Sequence, residues 1–300
     1  MSDFHEPVFL EEAIKGLRVE KDAKYIDATL GGGGHSFEIL RRGGKVLGID
    51  VDKDAIAYVE KIKPENLTLA RGNFRDIDKI AHLNNFDGVA GIIFDLGVSS
   101  HQIDSSTRGF SFQSEGPLDM RMDQDLGVRA LDLIKILTKG ELYEIFTEFG
   151  EESRAWAICD AIVRARSVKP IETTGELVQV IERGLRMKGL GKGLTRAGQN
   201  KKVFQALRIA VNDELNTLME ALPKALELLK TNGRLCVISF HSLEDRIVKR
   251  KFLEFEEKKM GKIVTEKPIV PSDEEIERNV RARSAKLRIF EKLIPKGINI

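Results

Sequence analysis

Cysteine is nearly absent from this 300-residue chain: Cys159 and Cys236 are the only two, each inside an apolar stretch (Trp-Ala-Ile-Cys and Leu-Cys-Val-Ile). A disulfide-stapled scaffold is therefore disfavoured, and two buried thiols in a reducing compartment are expected. No run of roughly 18 apolar residues occurs, which argues against a membrane-spanning helix and a membrane partner. The opening Met-Ser-Asp-Phe-His-Glu lacks the basic and apolar regions of a secretory signal. A cytoplasmic location is the expectation. The five histidines are scattered, and none joins a cysteine at metal-ligand spacing, so no metal site is expected. Net charge is also scarce, at +1, and does not by itself point to nucleic acid.

Charge is present, but unevenly placed. Ile181 to Arg208 holds Arg183, Arg186, Lys188, Lys192, Arg196, Lys201, Lys202 and Arg208 against one acid, Glu182, for a net +7. Arg278 to Arg288 holds Arg278, Arg281, Arg283, Lys286 and Arg288 with no acid, for +5. Two clusters this one-sided in a near-neutral chain read as a footprint for a phosphate backbone. An acid-rich stretch, Asp119, Asp123 and Asp125, opposes that reading unless Arg121 and Arg129 neutralise it.

The remaining pattern is that of a globular protein with 42% hydrophobic residues. Apolar runs at 24–29, 45–50, 67–70 and 89–95 alternate with helical segments at 36–42, 54–62 and 76–82. Continuous apolar strands separated by helices predict a doubly wound α/β sheet of parallel strands. After Asp95 the rhythm stops. Residues 104–125 read as a long ordered loop, and 130–211 as helix only, with Thr173 or Thr174 capping the segment that contains Glu176. Strands resume at 233–240, 262–265 and 285–293, with helices at 212–230 and 243–259. The last two strands are only about twenty residues apart, with Pro268 and Pro271 between them, which suits an antiparallel closing strand. Seven strands with the last antiparallel is the class I S-adenosylmethionine-dependent methyltransferase arrangement, here with an inserted all-helical domain. The expected boundaries are 1–110 and 213–300 for the sheet domain and 111–212 for the insertion.

Chemistry is expected at the strand ends. Asp27-Ala28-Thr29-Leu30 runs into Gly31 to Gly34 and His35 at the first strand-to-helix turn. Glycines there let the backbone approach a ligand and take positive φ, and the helix N-terminus that follows offers free N–H groups. Asp50 ends the second strand, where doubly wound folds place an acceptor for ribose hydroxyls. A nicotinamide dinucleotide and S-adenosylmethionine both fit this pair. The dinucleotide fingerprint would run Gly31, Gly33, Ser36 and fails at the third position, which favours S-adenosylmethionine. Phe74 follows the third strand, as an adenine cover or as plain core. Asp95 ends the fourth strand and opens a loop that reaches Gln102. His241 follows the fifth strand, contacting substrate or capping the next helix.

These blocks closely resemble the bacterial 16S ribosomal RNA cytosine-N4 methyltransferases, the RsmH or MraW family. The likeness is carried by His5-Glu6-Pro7-Val8, by Tyr25-Ile26-Asp27-Ala28-Thr29 with Gly33-Gly34-His35-Ser36, and by Asp95-Leu96-Gly97-Val98-Ser99-Ser100. Further along it is carried by Arg108-Gly109-Phe110-Ser111-Phe112, Gly116-Pro117-Leu118-Asp119-Met120-Arg121-Met122-Asp123 and Phe204-Gln205-Ala206-Leu207-Arg208-Ile209. Ile238 to Arg246 and Arg281-Ala282-Arg283-Ser284 complete it. The resemblance implies methylation of a decoding-centre cytidine of 16S ribosomal RNA, within the small ribosomal subunit. It implies S-adenosylmethionine contacts from Gly33, Gly34, His35, Asp50, Phe74, Asp95 and Gln102. Many amino-directed methyltransferases carry an Asp/Asn/Ser-Pro-Pro-aromatic loop after the fourth strand. This chain has Asp95-Leu96-Gly97-Val98, a departure the family shares. Asp95 is the catalytic candidate, as an acceptor drawing on the cytosine amino N–H directly or through a nearby backbone carbonyl; the alternative is that it binds only the cofactor. The base must unstack to arrive, and Phe110 or Phe112 would either stack on it or anchor their loop. The alternative reading is an RNA-binding ribosome assembly factor with a vestigial cofactor pocket. Oligomeric state stays open, a homodimer included.

Overall fold

A computed structural model describes residues 7–62, 64–187, 189 and 196–293, with the side chains of Arg196 and Ala197 excepted. His5, Glu6, Lys188 and Lys192 lie outside the described residues. The elements run α1 (Leu10–Leu17), β1 (Lys24–Asp27), α2 (Gly34–Arg41), β2 (Lys45–Asp50), α3 (Lys53–Ile62), β3 (Leu67–Arg71), α4 (Ile77–Leu83) and β4 (Val89–Asp95). They continue with α5 (Ser100–Asp104), α6 (Ala130–Ile136), α7 (Lys139–Glu148), α8 (Ala155–Val168), α9 (Thr174–Met187), α10 (Arg196–Asn212) and α11 (Glu214–Leu228). The last are β5 (Leu229–Ser239), α12 (Ser242–Glu257), β6 (Gly261–Ile263), α13 (Asp273–Arg278) and β7 (Lys286–Lys292). Among the described residues, no helix is long and apolar enough to cross a membrane.

The strands form one seven-stranded sheet in the order β3-β2-β1-β4-β5-β7-β6. Pairings from β3 through β5 are parallel, and β7 is antiparallel to both β5 and β6. This is the class I methyltransferase fold. The Pro-containing link before β7 carries only the short helix α13, and β7 returns antiparallel beside β6 and β5. β5 begins at Leu229, earlier than its apolar run, because Leu229 pairs with Val89 before a register shift brings Arg234 opposite Gly91.

Side chains alternate across this sheet with a period of two. Ile26, Ile92, Phe94, Leu235 and Val237 face one layer, packed with Leu222 and Ala225 of α11 and Phe252 of α12. Tyr25, Ile93, Cys236 and Ile238 face the other, packed with Ile14 and Leu17 of α1 and Ile39 of α2. Both faces are covered, which is why β4 reads as an unbroken apolar run. Helix α1 has no counterpart in the sequence reading, and its buried Ala13, Ile14 and Leu17 supply part of that second layer. Cys159 and Cys236 are both buried and unpaired, and burial pushes each thiol up to about 12.

The chain divides into two compact units, one holding the described residues up to Ser99 with those from Leu215, the other Ser100–Glu214. The sequence reading placed the first junction at 110/111. Residues 100–110 side with the helical unit because Arg108 is buried there: its Nη2 donates to the carbonyls of Arg121 and Met122, and Met120 N donates to the Arg108 carbonyl. Gly109 takes φ +71° beside the Pro117 carbonyl, where no Cβ fits. Leu118, Met120, Ile134, Phe146, Ile158 and Phe204 build this unit's core. Thr173 and Glu176 close a reciprocal cap at the start of α9, Glu176 N donating to Thr173 Oγ1 and Thr173 N to Glu176 Oε2.

Candidate active site

Three adjacent parallel strands, β2, β1 and β4, each end in an aspartate: Asp50, Asp27 and Asp95. A doubly wound sheet binds its ligands at this carboxyl edge. Asp27 stands opposite Gly48 and Ile93, so Asp50 and Asp95 lie two residues further along on the same face of the sheet, and backbone bonds tie the turn after β1 across to their strands. Ala28 N donates to the Ile93 carbonyl of β4, and Leu30 N to the Ile49 carbonyl of β2, each at 2.9 Å.

The three carboxylates are engaged differently. Asp27 is 1% exposed and accepts from Thr29 N at 3.2 Å and Ser36 Oγ at 2.7 Å. Asp50 accepts from Gly31 N at 2.8 Å through Oδ2 and from Asp52 N at 2.9 Å through Oδ1. An ionised carboxylate offers about four lone-pair sites, so Asp50 keeps acceptor capacity beyond these two bonds. At Asp95 the backbone amide donates to Thr29 Oγ1 at 2.6 Å, and the carboxylate Oδ2 lies 3.7 Å from His35 Nδ1. Its Oδ1 is buried and has no hydrogen-bond partner among the described residues. Two of the carboxylates thus support the turn, and the third holds an acceptor in reserve.

Burial pushes Asp27 and Asp50 up to about 6. Asp95 is raised well above the usual carboxylate range, by burial first and then by the charges of Asp27 and Glu244. Four carboxyl groups gathered in one region resist being ionised together, and a cation placed among them relieves that repulsion.

Gly33 caps α2 with φ +80°, and a Cβ there would lie 2.8 Å from the Phe37 ring. Gly34 and His35 open α2, whose first-turn N–H groups have no intrahelical acceptors. Phe74 begins a short 3-10 turn after β3, half-buried, and meets Phe94 edge-to-face at 5.4 Å. His241 caps α12: its Nδ1 accepts from Glu244 N, while Glu244 Oε2 accepts from the amides of Phe240 and His241. Of the residues singled out in the sequence, Gly33, Gly34, His35, Asp50, Phe74 and Asp95 belong to the sheet unit. Gln102 belongs to the other, buried on α5. The sequence reading gave no role to Ser36 beyond breaking a fingerprint, nor to Glu244. The spacing His241-x-x-Glu244 ahead of an apolar run was the available signal for the second.

Part of each basic cluster is engaged inside the protein. Arg288 and Lys286 bond the two oxygens of Asp245 at 2.6 and 2.9 Å. Arg208 pairs with Glu214, and Lys202 Nζ donates to the Glu151 carbonyl. Arg183, Lys201, Arg278, Arg281 and Arg283 remain exposed. Within the acidic stretch, Arg121 holds Asp119 with two bonds of 2.8 Å, whereas Arg129 pairs with Asp132. Phe112 packs edge-to-face on Phe204, and Phe110 packs on the same helical core, so both anchor their loop.

The MraW methylase family model matches residues 2–293. The chain belongs to the MraW methylase family. The methylase is similar to "Ribosomal RNA small subunit methyltransferase H" of Carboxydothermus hydrogenoformans, 46% identical over 308 residues that cover 96% of this chain and 98% of that one. It is 44% identical to the protein of that name in Clostridium botulinum strain Loch Maree, over 96% of this chain and 99% of that one. With the Lachnospira eligens protein the figures are 42%, 96% and 98%. S-adenosylmethionine is the methyl donor of this family and fold.

Proposed function

We propose that the methylase transfers a methyl group from S-adenosylmethionine to the N4 amino group of a decoding-centre cytidine in 16S ribosomal RNA. Small-subunit ribosomal RNA as substrate is supported by relatives 42–46% identical that carry that activity in their names. The amino target is supported by the family resemblance and by one observation above the rest, the buried Oδ1 of Asp95 at the end of β4, which has no hydrogen-bond partner among the described residues.

The residues present fit the donor. A cluster of carboxyl groups suits a sulfonium cation, and the orphaned Asp95 oxygen is a ready acceptor. When bound, S-adenosylmethionine supplies an activated methyl group. Asp50 would accept the ribose hydroxyls, Phe74 would cover the adenine, and the start of α2 at Gly33, Gly34 and His35 would supply backbone donors. Gln102 is carried into the set on the resemblance alone. Asp95 accepts from the cytosine amino N–H. That nitrogen is a poor nucleophile because its lone pair is delocalised into the ring. An acceptor on its hydrogen localises the pair and takes up positive charge as it develops. The rest is placement, for which orientation contributes roughly 7–11 kcal/mol.

The test is transfer of radiolabel from the donor to small ribosomal subunits lacking the modification, followed by nucleoside analysis. Label in N4-methylcytidine supports the reading. No label, with donor binding intact, overturns it in favour of an RNA-binding assembly factor that retains the pocket.

A further inference from the structure

We infer that His35 is a positioning residue for Asp95, its protonated ring drawing the carboxylate by charge. The catalytic consequence rests on the role of Asp95 given above. The proton arrangement does not.

His35 is 4% exposed, in the first turn of α2. Its Nε2 lies 3.1 Å from the Val8 carbonyl oxygen. A carbonyl only accepts, so Nε2 carries a hydrogen. In a neutral ring the other nitrogen, Nδ1, is then a bare lone pair. Nδ1 faces Asp95 Oδ2 at 3.7 Å, and an ionised carboxylate is likewise only an acceptor. Two acceptors facing each other in a buried site repel, whereas a proton on Nδ1 makes the ring a cation beside the carboxylate and the contact attractive.

The surroundings favour keeping that proton. Asp27 from β1 and Glu244 from α12 act on Asp95 as like charges, and Thr29 engages only its backbone amide. Among the described residues, the base that faces it is His35 from α2. The Val8 carbonyl is in turn a fixed acceptor. Pro7 sits on the start of α2 so closely that a Cβ at Gly34 would come within 2.9 Å of its ring. The segment 7–8 therefore sets the ring tautomer, and the tautomer sets which group meets Asp95. On this arrangement His35 meets the donor through its backbone amide while its ring serves Asp95. Oδ1 remains as the acceptor left over.

Ring-nitrogen NMR of the ligand-free protein tests the proton directly. The His35 signals are followed across about pH 5.5 to 9 in the wild type and in Asp95→Asn. The expected midpoint in the wild type is higher by about one pH unit or more, the shift that a nearby opposite charge produces. Equal midpoints overturn the inference. No donor or RNA is present, so this result is independent of the proposed activity.

Two variants then separate positioning from seating of the N-terminal segment. His35→Gln places an amide where Nε2 was, keeping the Val8 bond and leaving Asp95 unheld. His35→Asn places one where Nδ1 was, able to donate to Asp95 without titrating. We expect kcat to fall about tenfold in His35→Gln with donor affinity within about threefold, and to be largely recovered in His35→Asn with a flattened acid limb. The reverse order, or a wild-type pH profile in both, means that the ring only anchors residues 7–8 and overturns the role.

Discussion

The amide of Asp95, the last residue of β4, donates a 2.6 Å hydrogen bond to Thr29 Oγ1, two residues past the end of β1. Through Thr29, whose own amide is held by Asp27 Oδ1, the glycine turn and the proposed catalytic carboxylate form one unit. Thr29→Val removes the acceptor while keeping the shape, leaving the Asp95 amide unpaired. The expected loss is about 1–3 kcal/mol of stability, with reduced turnover, whereas Thr29→Ser retains both. Thermal unfolding together with kcat decides it. Equal behaviour of the two variants would mean that this bond does not hold Asp95 in place.

Asp95→Asn keeps the volume and removes the charge. The fold should survive, seen as an unchanged circular dichroism spectrum, while kcat drops about 100-fold. An unaltered rate would take Asp95 out of the mechanism.

Asp50 offers a pH signature in donor binding. Its carboxyl, raised by burial to about 6, is mostly protonated at pH 5 and mostly ionised at pH 7.5. Ribose hydroxyls and a cationic donor both favour the ionised form. The donor Kd measured by calorimetry should therefore rise as pH falls through 6, by about tenfold between those limits. A flat profile would separate Asp50 from the ribose.

Asp27 gives the opposite sign in stability. Burial raises its carboxyl from the ordinary 3.8 to about 6. Between those values the native state binds more protons than the unfolded chain, so this contribution to stability is present at acid pH and is lost as pH rises through 6. Asp27→Asn removes the burden, and the buried Ser36 hydroxyl can turn to accept from the new amide. Urea unfolding should show the variant more stable by about 1–2 kcal/mol at pH 7.5, with the gain shrinking toward pH 4. A gain independent of pH would assign the effect to packing instead.

Gly33→Ala tests the turn itself. A φ of +80° costs a non-glycine residue about 1–2 kcal/mol, and the added methyl would press on Phe37. The melting temperature should fall and donor affinity weaken together. Weakened affinity with an unchanged melting temperature would point to direct obstruction of the ligand.

Local pattern carried much of this protein. The extents of β2 and β4 coincide with their apolar runs, because a strand covered on both faces must be apolar throughout. The positive-φ turn announced itself through Gly31 to Gly34, and Asp50 and Asp95 through their places at strand ends. The charge clusters misled in part. Residue counting cannot see that Arg288 and Lys286 turn inward to Asp245, or that Arg208 meets Glu214.

Sequence by itself determined the order of the seven strands along the chain, the interruption by a helical segment and the family, since all three are written in composition, periodicity and motif, whereas the helices α1 and α13 were not. Tertiary structure alone decided which carboxylates are already engaged and which oxygen is left over. Asp27, Asp50 and Asp95 are the same residue type at equivalent strand ends. They differ only in what folding brings to them: Ser36 and Thr29 to the first, two backbone amides to the second, and His35 with an unpartnered oxygen to the third. Thr29 and Asp52 are local to their carboxylates, but Ser36, Gly31 and His35 come from other parts of the chain. Their hydrogen bonds and burial, which set the chemistry of each carboxyl, exist only once the sheet has assembled.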